Sequence, residues 1–224
     1  MMALLKKHKV ATAAFLLFGL PFLYFSFVAI KAYLDTPAII SAINQSGRLT
    51  LRLEDFSEEY LKALLAVEDP NFYSHNGVDL TTPGAGWTTI TQGLVKIHFF
   101  EDGFTPGFLR INKLRQTVMA WSFDRRADKQ TQLRIFINTV YLGSHRGKEI
   151  RGFQEGARSY FDKEFSALER GEFLSLVAMI VAPNEFNVFA QPSKNRERVS
   201  RIERLLNGEC KPADLGDVYY KNCG

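Results

Sequence analysis

The 224-residue chain has only two cysteines, Cys210 and Cys223, both close to its C-terminus. So few thiols exclude a small fold stapled by several disulfides and a cysteine-rich zinc module. No internal repeat or low-complexity linker appears, which excludes a solenoid or a string of tethered domains. Period-two alternation is also scarce, and no stretch reads as a strand for more than a few residues. The net charge is only +4. That balance suits an anionic membrane surface or a phosphate-bearing substrate. It is too weak for a nucleic-acid binder, and no stacking-aromatic or zinc pattern supplies the rest of such a site.

Charge is missing altogether from residues Val10–Ile30. A run of that length matches one bilayer crossing. Lys6, Lys7 and Lys9 precede it, so the N-terminus is expected to stay cytoplasmic. The apolar run is too long for a cleaved leader and lacks a small-residue cleavage site. Its length and flanks also argue against a buried core helix. Residues 1–34 are therefore read as a stub and an uncleaved single-pass anchor, in which Pro21 is tolerated. The part from Asp35 onward is expected outside the cytoplasmic membrane. Residues 35–206 form one domain and 207–224 a tail. An oxidising compartment allows Cys210 and Cys223 to pair, with two free thiols as the alternative.

What the chain has in abundance is helical patterning. Ser57 caps a helix that Glu58 and Glu59 open. Thr88 or Thr89 caps a second, with Ile90, Leu94 and Ile97 on one face and Gln92 and Lys96 on another. In a third, Ile111, Leu114, Val118 and Trp121 are expected inward, with Lys113 and Gln116 on a different face. Asp128 caps a fourth, whose stripe Leu133, Phe136, Ile137, Val140 and Tyr141 runs to Gly143. A capping box from Ser166 to Glu169 starts a fifth, which stops before Pro183. The last buries Val199, Ile202 and Leu206 under an arginine-rich outer face. The expected fold is mainly α. The stretches "TTPGAGW" and "EDGFTPGF" read as loops beside a cleft.

One carboxylate breaks this pattern. Leu61, Leu64 and Leu65 make a core-facing stripe, and the next position on it is Glu68. Pro70 disfavours helical geometry at Asp69, so the helix stops there. A glutamate at a helix C-terminus, partly desolvated, has a raised pKa and suits general acid–base work. The competing reading is a helix-end glutamate turned to water.

These residues lie inside recognisable motifs. "EDPNFYSHNGVD" resembles E-D-x-x-F-x-x-H-x-G-x-D of the family-51 peptidoglycan glycosyltransferases. "GWTTITQGLVK" is similar to their G-x-S-T-I-T-Q-Q-L-V-K, and "NKLRQ" falls where they carry R-K-x-x-E. "QLRIFINTVYLG" and the segment from Glu149 onward follow in family order, covering about Glu54–Leu206. The resemblance implies a lysozyme-like helical domain with a smaller membrane-embedded jaw. It implies polymerisation of lipid II, with a sugar hydroxyl displacing undecaprenyl diphosphate and inverting the anomeric carbon. Glu68 matches the general base, and Gln116 stands at the second catalytic position. Asp69, His75, Thr89, Gln92, Lys96, Arg110 and Lys113 match positions around the substrate. His75, Gly77 and Asp79 are expected to shape the turn rather than react. Expected partners are lipid II, the growing glycan, the membrane, and a transpeptidase or other wall-synthesis protein. The tail is too short for a transpeptidase domain.

The chain departs from the family pattern at several points. Gln116 and Asn112 replace the glutamate and arginine of R-K-x-x-E, and Gly93 replaces the second glutamine of T-I-T-Q-Q. Arg134 and Gln154 stand where acids are usual, and only "LTTPGA" lies between Asp79 and Gly86. An amide at Gln116 cannot carry charge or take a proton. No cofactor is required by any motif. Magnesium or manganese is the candidate ion, and the missing carboxylate weakens its site. A non-catalytic relative that binds lipid II, nascent glycan or a partner is the alternative. A glycan hydrolase fits less well, because no second carboxylate is placed to activate water.

Overall fold

The computed structural model describes residues 12–13, 15–100 and 103–224. The flanking Lys6, Lys7 and Lys9 and the start of the uncharged run lie outside the described residues. A π-helical turn, Phe15–Gly19, leads into α1, Leu20–Gln45, with Pro21 at the junction of the two. Phe15–Gln45 is long and apolar enough to cross a membrane, and its outer half exposes a row of phenylalanines and leucines. The helix does not stop at Asp35. It continues past Pro37 and buries Val28, Ala32, Thr36 and Ile43.

The remaining helices are α2 (Glu58–Glu68), α3 (Ile90–His98), α4 (Ile111–Asp124), α5 (Lys129–Thr139), α6 (Phe153–Phe161), α7 (Arg170–Ile180) and α8 (Pro192–Leu206). The domain is mainly helical. At its centre, α7 buries Phe173, Leu174, Leu176, Val177, Ala178 and Met179. A helix apolar on every side belongs inside, and α2, α6 and α8 pack around it. Phe56, Tyr60, Phe153, Phe165 and Phe173 form an aromatic cluster at one end, with Tyr60 stacked on Phe173 at 4.1 Å. The α1 helix packs on α4, and α4 packs on α3.

Three caps stand as expected. The Ser57 side chain accepts from Tyr60 N, Asp128 from Thr131 N, and Thr89 from Gln92 N. The structure corrects four other readings. The α5 helix ends at Thr139, and Tyr141–His145 is a strand, β1, paired antiparallel with β2, Lys148–Arg151. Arg146 and Gly147 both have positive φ, which suits a two-residue hairpin turn. Gly143, also at positive φ, lies within a register shift between Tyr141 and Ser144. The α7 helix starts at Arg170 behind a Glu169–Glu172 capping box, while Ser166 lies in a separate 3-10 turn. On α4 the inward stripe is Gln116, Met119, Ala120 and Phe123, and Ile111, Leu114 and Trp121 are exposed. Both stripes have helical spacing, and the buried one closes on α3 because Gln116 finds a partner there. On α8, Asn195 and Arg198 are buried with Ile202, and Val199 and Leu206 are only half-buried.

Candidate active site

A cleft of about 800 Å³ opens between the α2 C-terminus, the α3 N-terminus and the β1–β2 hairpin. Its charged lining residues, among those described, are Glu68, Arg48, Lys96, Arg151 and Arg198. Among the described residues, one carboxylate thus shares the lining with four cations. Glu68 is the last residue of α2 and is half-buried at the wall. Removal from water is the main reason its carboxyl is pushed up to about 7; nearby Asp69 adds to the rise and Arg198 opposes it. That value puts the group near half-ionisation at neutral pH, where a general base works best.

The turn after Glu68 is held by a chain of hydrogen bonds. Asp69 is 1% exposed, and Ile90 N donates to its carboxylate at 2.9 Å. Gly77 N donates to His75 Nδ1 at 3.0 Å, so the proton of neutral His75 sits on Nε2, which donates to Asp69 at 3.0 Å. The Thr89 hydroxyl donates to Gly77 O at 2.7 Å and accepts from Gln92 N. A Cβ at Gly77 would lie 2.5 Å from Ala120 O, so only glycine fits. Burial alone would raise Asp79, but hydrogen bonds from Thr82, Thr81 and Asn71 hold it far below the usual carboxylate range. Asp69 with His75, and Thr89 with Gln92, therefore join the Glu68 turn to the start of α3. Thr89 also borders the cleft, but its hydroxyl proton is already committed.

The cationic positions divide. Lys96 is exposed at the cleft wall. Lys113 donates to Thr88 Oγ1 at 2.9 Å at the rim, and burial, helped by Lys96, lowers its ammonium to about 8. Arg110 is exposed in a left-handed conformation before α4, away from the cleft lining. Gln116 lies behind the wall. It is 1% exposed, and its Nε2 donates to Gln92 O at 2.6 Å, while Oε1 has no partner. Of the other departures, Gln154 donates to Glu164 on the surface, and neither it nor Arg134 lines the cleft. Gly93 does line it, and a side chain there would meet open space. A divalent cation does not fit this donor set. No cluster of three or more metal-ligating side chains exists among the described residues, and the one carboxylate among the described lining residues stands with cations.

Sequence reasoning missed Arg48, Arg151 and Arg198. Arg48 and Arg151 sit in irregular or hairpin segments without a periodic signal. Arg198 did leave one: with Asn195 and Ile202 it has helical spacing on a helix whose other face is already charged.

The family profile described as Transglycosylase matches residues 36–207, so the chain belongs to the transglycosylase family, glycosyltransferase family 51. It is 28% identical over 193 residues to penicillin-binding protein 1A of Pseudomonas aeruginosa, covering 80% of this chain and 22% of that protein. To penicillin-binding protein 1B of Vibrio cholerae it is 32% identical over 172 residues, covering 71% and 22%. To penicillin-binding protein 1B of Escherichia coli it is 31% identical over 181 residues, covering 75% and 21%. The chain thus spans about a fifth of the length of these curated relatives.

Proposed function

We propose that this chain is a membrane-anchored peptidoglycan glycosyltransferase that polymerises lipid II, with Glu68 as the general base. The observation that carries this reading is a desolvated carboxylate, raised to about 7, in a cleft whose other charged lining residues, among those described, are the cations Arg48, Lys96, Arg151 and Arg198. Glu68 takes the proton from the acceptor sugar hydroxyl as that oxygen attacks the anomeric carbon of the growing strand. The bond to undecaprenyl diphosphate breaks with inversion, and the departing diphosphate carries the electron pair. Lys96, Lys113, Arg48 and Arg151 supply the positive field that the leaving group needs. Asp69, His75, Thr89 and Gln92 hold the Glu68 turn against α3, and Gln116 supports that packing from behind.

The anchor and α4 give the reaction its setting. Ile111, Leu114 and Trp121 are exposed on the helix that packs against α1, and Phe108 is exposed just before it. Lipid covering this face accounts for apolar side chains that water would disfavour. The catalytic part then lies on the outer side of the cytoplasmic membrane, close to a lipid-linked substrate. The disulfide Cys210–Cys223 fits an oxidising compartment. The test is incubation of the purified, detergent-solubilised chain with labelled lipid II, read as polymer length. Polymer made by the wild type and lost in Glu68→Gln supports the assignment, and absence of polymer from the folded wild type rejects it.

A further inference from the structure

Residues 208–224 lie beyond the segment matched by the transglycosylase family. They fold back onto the cleft wall. Gly84 N donates to Asp214 O at 2.8 Å, and Gly86 N donates to Leu215 O at 2.9 Å. The tail therefore runs beside the short loop after Asp79. The fit is tight: a Cβ at Gly84 would lie 2.5 Å from Pro212 and 2.8 Å from the Tyr220 ring, and one at Gly86 would lie 2.7 Å from Val218. Val218 itself lines the cleft.

Two contacts reach Arg198 and the turn that carries Glu68. The Tyr220 hydroxyl donates to Val67 O, the carbonyl immediately before Glu68. Carbonyls in a last helical turn lack intrahelical partners, so Tyr220 closes the turn that presents Glu68. Arg198 Nη1 donates to Val218 O at 2.8 Å, and its guanidinium lies 5.3 Å from the Tyr220 ring centroid and 5.8 Å from that of Tyr219. Tyr220 is 1% exposed and held at φ 52°, a conformation a tyrosine adopts only where its surroundings impose it. Those surroundings are fixed by the Cys210–Cys223 disulfide and by Arg204, which donates to Cys223 O at 2.7 Å.

We propose that the disulfide-closed tail is part of the active site, with Tyr220 a positioning residue that sets the α2 end and keeps water from Glu68. This rests on the reading of Glu68 as the base. Opening the tail, by loss of the Tyr220 hydroxyl or of the disulfide, lets the α2 turn relax and rehydrates the carboxylate. Rehydration moves its pKa down towards the ordinary value.

The test is a carbon-13 titration of Glu68 in the detergent-solubilised full chain, run beside lipid II kinetics. It compares wild type, Tyr220→Phe, and wild type reduced to two thiols with dithiothreitol. A Cys210→Ser/Cys223→Ser variant shows whether the reductant acts through this bond. Expected is a wild-type midpoint near 7 that falls by about one unit or more in Tyr220→Phe and on reduction. With it, kcat drops by about tenfold or more while KM stays within about twofold. The doubly substituted chain should behave like the reduced one and ignore dithiothreitol. An unmoved Glu68 midpoint in both Tyr220→Phe and reduced protein overturns the proposal. A midpoint that falls in Tyr220→Phe and on reduction, while the wild type makes no polymer, upholds the clamp on Glu68 and rejects the transfer reading instead.

Discussion

Replacing Glu68 with glutamine should stabilise the protein, by an amount that depends on pH. Glutamine is close in shape to protonated glutamic acid, so the change removes an ionisation and little else. The cleft raises this carboxyl from 4.5 to about 7, chiefly by desolvation. A carboxyl harder to ionise in the folded state than in the unfolded one costs stability as pH climbs above its unfolded value. Below pH 4.5 both states are largely protonated and the cost vanishes. Between the two values it grows by about 1.4 kcal/mol per pH unit, then levels off at about 3 kcal/mol. Each kcal/mol is worth about 2–4 °C in Tm for a domain of this size. Glu68→Gln should therefore melt roughly 6–12 °C above the parent at pH 8, and at nearly the same temperature at pH 4. Thermal melts of both proteins in one detergent at the two pH values measure this. An equal gap at both would show that Glu68 is solvated, and the argument for it as a tuned base would collapse.

Transfer should follow a narrow bell in pH. It needs ionised Glu68, which is lost below about 7, and charged Lys113, which is lost above about 8. Lys113→Ala should raise KM and abolish the alkaline limb; a limb that persists assigns it to another group. Gln116→Glu should cost about 3 kcal/mol near pH 7, because a carboxylate cannot donate to Gln92 O and must be protonated to stay. It should bring no gain in turnover or in response to magnesium or manganese, and a gain in either would place residue 116 in the cleft after all. Gly77→Ala should lower stability by about 2 kcal/mol or more, since φ is +83° and the new methyl would strike Ala120 O. An unchanged denaturation midpoint would refute the packing described for that turn.

Local chemistry explains which features were readable. The caps at Ser57, Thr89 and Asp128 were legible because each satisfies orphan N–H groups within three residues. The stop at Asp69 was legible from Pro70, and Glu68 from its place at the end of a stripe. The hairpin was not, because its strands are short and β1 carries a register shift that spoils alternation. The orientation of α4 was misjudged for a different reason. The amphipathic rule assumes water outside and apolar contacts inside. Here Gln116 is buried by a hydrogen bond to Gln92, and Ile111, Leu114 and Trp121 face outward on the helix beside α1. Arg198 defeated the same rule. It is buried because Ala178 O and Val218 O accept its N–H groups and three aromatic rings surround it. Two of those rings belong to the tail, which no helical period connects to α8.

In the proposed reaction Glu68 deprotonates a sugar hydroxyl and thereby joins lipid-linked disaccharides. The most direct measurement gives the purified chain labelled lipid II, with folded Glu68→Gln alongside and finished peptidoglycan in a parallel reaction. On this mechanism the wild type makes glycan polymer, Glu68→Gln makes none, and no fragments come from the peptidoglycan. Polymer from folded Glu68→Gln, or soluble glycan fragments from the wild type, would contradict it.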